Sequence, residues 1–98
     1  MRPEQFHSVF DVLPFTGTVT LTAVAGAETS DTISVPGVAP GDIVLGAIVE
    51  DTESGVLGWD VNAADLVEVT LVNATASTIT IPAATVAQGV VLRMKEFA

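Results

Sequence analysis

"PGVAPGDIVLGAIVED", Pro36 to Asp51, is the stretch on which the fold turns. It opens with two Pro and two Gly between Pro36 and Gly41. Proline fixes φ and glycine admits positive φ, so this cluster reads as a turn. The aliphatic run Ile43-Val44-Leu45 follows and continues to Val49 before the carboxylates Glu50 and Asp51. A run apolar on both faces predicts a strand covered on both sides, either central in a sandwich or set in an oligomer interface. Asp42 stands at its mouth, where an aspartate accepts hydrogen bonds from turn amides. Asp65, before Leu66-Val67, repeats that chemistry.

Outward from this stretch the pattern has a period of two. Val19, Leu21 and Ala23 alternate with Thr18, Thr20 and Thr22. Val67, Val69 and Leu71 alternate with Glu68 and Thr70, and Ile79 and Ile81 with Thr78 and Thr80. Val90, Leu92 and Met94 alternate with Val91, Arg93 and Lys95. Such alternation, rich in β-branched residues, predicts half-buried strands over about 8–13, 17–25, 29–35, 42–50, 56–61, 65–73, 78–82 and 89–96. Seven or eight short strands at this spacing predict an all-β fold, an antiparallel β-sandwich or a jelly-roll-like barrel. Ala83 to Gln88 could supply one helical turn. Residues 1–15 hold Phe6, Phe10 and Phe15 and read as an N-terminal arm or first strand that docks through aromatic anchors. Residues 16–98 form the single sandwich domain.

The totals narrow the function. The chain has 98 residues, twelve acids against three bases (Arg2, Arg93 and Lys95) and a net charge of −9. Phosphate binding needs a basic face, so nucleic acid is not an expected partner, and neither is an anionic membrane. The amino terminus lacks the apolar core of a secretory signal, and no stretch reads as a membrane span. With no cysteine there is no disulfide and no thiolate chemistry. Hydrophobic residues make up 49% and charged residues only 15%, below the usual quarter. A small domain with so few charges predicts that part of its surface is covered by copies of itself or by a partner.

No catalytic constellation stands out, and the expectation is a protein that is not an enzyme and uses no cofactor. His7 is the only histidine; it lies in the arm next to Ser8, where positioning for catalysis would be poor. There is no Gly-rich phosphate loop. Glu50, Asp51 and Glu53 form the densest carboxylate group, but alternation sends Glu50 and Asp51 to opposite faces, which leaves weak Ca²⁺ binding as a minor reading. Trp59, the sole Trp, reads as a core or interface anchor; beside Asp60 it could also serve as a sugar-stacking platform. Asn73-Ala74-Thr75 matches the N-glycosylation pattern, an accidental match in a chain read as carrying no signal peptide.

The strings "TISVPGVAPGDIVLGAI" and "GWDVNAADLVEVTLVNATASTITIP", with the closing "GVVLRM", resemble small β-sandwich proteins of tailed-phage virions. Val35, Pro36, Gly37, Gly41 and Asp42 match the turn, and Ala64, Asp65, Val67, Val69, Leu71 and Asn73 match the strand that follows. The resemblance spans roughly residues 30–95. It implies a structural virion component: a head decoration or cement subunit, oligomeric and most commonly trimeric, that binds the major capsid protein on the outer capsid surface and bridges its subunits. No collagen-like or coiled-coil extension is present, which favours the compact cap over a fibre. Phe6, Phe10, Phe15 and Trp59 are the expected contacts with a neighbour or the shell. The alternative is a tail-tip or fibre domain that binds a host surface glycan through Trp59.

Overall fold

The computed structural model describes residues 9–95. Its strands, in chain order, are β1 (Phe10–Val19), β2 (Thr22–Ala23), β3 (Glu28–Ser34), β4 (Ile43–Ile48), β5 (Val56–Ala63), β6 (Leu66–Val72), β7 (Ile79–Thr80) and β8 (Thr85–Met94). One sheet has the order β1-β8-β4 and the other β3-β6-β5, with β2 and β7 forming a short ribbon. Every pairing is antiparallel. The all-β expectation holds, and the arrangement is a β-sandwich.

Alternation builds the core. The first sheet turns Phe15, Val19, Ala87 and Val91 inward, and the second turns Ile33, Val67, Val69 and Leu71 to meet them. Leu21, Ile79 and Ile81 close the layer from the ribbon and its flanks. Burying each Val, Leu, Ile or Phe side chain among these contributes about 1.5–3 kcal/mol relative to leaving it exposed. Glycines set how closely the layers approach. A Cβ on Gly46 would lie 2.7–2.8 Å from the Trp59 ring. The indole therefore rests directly on the β4 backbone, with the Phe15 ring centroid 6.1 Å away.

Several strand limits differ from the sequence reading. The first two predicted strands are joined: β1 runs without a break from Phe10 to Val19, through Pro14 and Gly17, with Val19 paired to Thr85. Residues 10–15 thus belong to the first strand, one of the two readings given for residues 1–15, and residues 1–8 lie outside the described residues. Ala83 to Gln88 is not a helical turn. Ala84 adopts φ 55°, and Thr85 begins β8, because pairing along all of β1 and burial of Thr85 and Ala87 outweigh the helix propensity of alanine. β4 is a sheet edge, not a central strand. Val44 and Ile48 pack on the core, but Ile43 and Leu45 are 47% and 55% exposed.

Candidate interaction surface

The two outer faces of the sandwich differ in kind. Register places Phe10, Val12, Pro14, Thr16 and Thr18 on the outer face of β1. Met94, Leu92, Val90, Gln88 and Val86 continue that face on β8, and Ile43, Leu45 and Ala47 on β4. None of these residues is charged. Ile43, Leu45, Val86 and Met94 are exposed large hydrophobics, while Leu92 is buried in the row between Val12 and Ile43. The outer face of the second sheet carries Glu28, Ser30, Thr32 and Ser34 on β3, Glu68 and Thr70 on β6, and Asp60 on β5. Apolar residues there are Val56 and Val72, which pair at one end beside Glu28, and half-buried Leu66 at the other end.

Along β8 one set of the alternation faces the core and the other faces out. Val91 points inward, whereas Val90, Leu92 and Met94 form the outer row and Met94 is 61% exposed. Arg93, on the inner side, lies at the end of the sandwich where the layers part. A small cleft of about 230 Å³ opens there, lined by Asp11, Leu13, Gly37, Asp42 and Arg93 among others. That is below the usual size of a small-molecule site, and its polar groups are already engaged. Arg93 Nε and Nη2 donate to the two Asp42 carboxylate oxygens at 2.8 Å each, and Nη2 also donates to the Gly37 carbonyl at 2.9 Å.

Asp42 and Asp65 hold the Pro36–Gly41 turn from two sides, as the sequence suggests. The Ala39 amide donates to Asp42 Oδ2 at 3.0 Å, and the Gly37 amide to Asp65 Oδ1 at 2.9 Å. Asp65 also exchanges backbone hydrogen bonds with Val35 and Val38. The Arg93 hydrogen bonds hold the Asp42 carboxyl below its ordinary pKa, with the Ala39 amide adding in the same direction against partial burial.

The expected contact residues disperse. Phe6 lies outside the described residues, as does His7. Phe10 is half-buried at the start of β1 on the apolar outer face. Phe15 is 8% exposed and packs inside against Trp59, so its ring is not a surface anchor. Trp59 is half-buried over Gly46, and its neighbour Asp60 projects from the opposite face, as alternation along β5 requires. The two therefore do not share one sugar-binding platform.

Other candidates resolve into local structure. Asp51 Oδ1 accepts the Glu53 amide at 2.9 Å and caps a turn. Among the described residues no three His, Cys, Asp or Glu side chains gather at metal-binding distance. Asn73 is 1% exposed. Its Nδ2 donates to the Ala23 and Ser77 carbonyls, and its Oδ1 accepts from the Thr75 amide and hydroxyl. An amide so engaged is a structural pin, not a glycan acceptor. Comparison of the chain with family models, curated proteins and solved structures returns no match.

Proposed function

We propose that this chain is a structural virion protein, a capsid decoration or cement subunit that adheres to the outer surface of a shell and bridges its subunits. The observation that carries this reading is the uncharged outer face of β1-β8-β4, opposed to an acidic outer face on β3-β6-β5. Contiguous apolar surface on a small domain is a feature of interaction sites. The acidic face would remain in solvent, and the adhesive face would meet the major capsid protein without desolvating a charge. Stabilisation of the head would come from apolar area buried at many equivalent junctions, each contributing modestly.

The test is co-sedimentation of the chain with shells that lack it, together with the thermal stability of the loaded shells. The variant Val86→Lys/Met94→Lys places two charges on the outer row of the central strand. The expected result is binding and shell stabilisation by the parent chain, and loss of both in the variant, with its own unfolding transition retained. Equal binding by both would overturn the assignment of this face.

A further inference from the structure

In the two three-stranded sheets four strands lie at edges: β1 and β4 in one, β3 and β5 in the other. An edge presents unpaired N–H and C=O groups, and natural sheets blunt it with proline, charge or a bulge. β1 carries Pro14 and Asp11. β3 carries Glu28 and Asp31, the latter on the inward-facing register beside Val69. β5 carries Asp60, and its ladder is broken between Asp60 and Ala63. β4, Ile-Val-Leu-Gly-Ala-Ile, has none of these devices.

We propose that the free edge of β4 pairs with β4 of a second copy, antiparallel about a two-fold axis, so that the two β1-β8-β4 sheets become one continuous sheet. The backbone parity fits. The Val49 amide donates to the Val86 carbonyl at 3.1 Å, so odd-numbered residues of this strand address β8. Alternation then turns the N–H and C=O groups of Val44, Gly46 and Ile48 toward the free edge. A two-fold axis normal to the sheet keeps outer residues opposite outer residues only if it passes through a residue and not between two, and at the middle of β4 that residue is Leu45 or Gly46. In the first register Val44 meets Gly46 of the second copy, and in the second it meets Ile48. Both join edge-facing residues as hydrogen-bonded pairs.

A second copy fits because β4 is uncharged and pairs with itself without setting like charges opposite one another, and charge sets the antiparallel sense. Two chains of net charge −9 repel one another, and β4 offers them an uncharged seam. Parallel pairing would align Glu50 and Asp51 with their own counterparts. Antiparallel pairing sends them toward Pro40 or toward Asp42, whose charge Arg93 already meets. This gives a two-fold pair instead of the three-fold cap that the phage resemblance implies, and it is independent of any shell.

The experiment is light scattering coupled to size exclusion over a concentration series, with site-resolved amide exchange. The expected mass at high concentration is twice the 10.0 kDa chain, with Val44, Gly46 and Ile48 amides protected and then released on dilution. Leu45→Lys should abolish the pair, and mixing it with Leu45→Glu should restore it, because residues at or beside the axis face their counterparts. Trp59 emission reports whether each variant is folded, and Ala47→Lys replaces Leu45→Lys if that chain unfolds. A monomer at every concentration, a three-chain particle, or a dimer whose three edge amides exchange at the dilute rate would overturn the proposal.

Discussion

At the scale of single residues, the most sensitive contacts are those where backbone meets side chain without slack. Gly46→Ala would drive a methyl group into the Trp59 ring, which must then shift against Phe15. Overpacking of this kind costs about 1–3 kcal/mol. Gly58, on the neighbouring layer, has nothing within 4 Å of a built Cβ. There Gly→Ala should stabilise by about 0.5–1 kcal/mol, because alanine loses less backbone entropy in a strand. Urea unfolding monitored by Trp59 fluorescence checks both signs. Asp42 gives a pH prediction. Its pKa is depressed in the folded state, so its contribution is present above the ordinary value of 3.8 and is lost as pH falls through the folded value. Asp42→Asn should therefore lower stability most in the neutral region and least in acid, which flattens the acid limb of the stability curve. An acid limb unchanged in the variant would mean that other carboxylates carry it.

At the scale of elements, most strands were legible because alternation and burial agree. The buried set Val67, Val69 and Leu71 is the one that the sequence pattern selects. So are Val19, Leu21 and Ala23, and the turn held by Asp42 and Asp65 was readable from Pro, Gly and Asp alone. The β8 face was not. Val90, Leu92 and Met94 alternate with Arg93 and Lys95, which argues for burying the apolar set. The inner side of that strand end opens into a cleft where Arg93 finds Asp42, so the charged residue faces inward and the apolar row faces out. Local pattern cannot encode where one layer stops covering the other. The first strand failed for a related reason: Pro14 suggests a break, but at a sheet edge its missing N–H leaves the β8 ladder intact. This changes what truncation should do. Removing residues 1–8 leaves the β1–β8 ladder whole and should preserve cooperative unfolding. Removing residues 1–15 deletes the Phe10–Phe15 part of β1, including the core ring of Phe15, and should abolish the cooperative transition seen by calorimetry.

At the scale of the whole molecule, one outer face and the edge strand β4 carry no charge, and this fixes how association should respond to salt. Complexes held by ion pairs across an interface weaken as salt rises. Here the described cations, Arg93 and Lys95, already have intramolecular partners in Asp42 and Asp11. Eight further described acids, among them Glu28, Asp60 and Glu68, leave the body strongly negative. Charge therefore acts on self-association mainly as repulsion between bodies, while the attraction comes from uncharged backbone and aliphatic groups of β4. The Debye length falls from about 10 Å at 0.1 M salt to about 3 Å at 1 M, so added salt screens the repulsion and leaves the attraction in place. Self-association should thus strengthen with ionic strength. Sedimentation equilibrium across a salt series reads the effect directly. A dissociation constant that rises with salt would instead require an ion pair at the seam, and no charged residue of β4 could supply one.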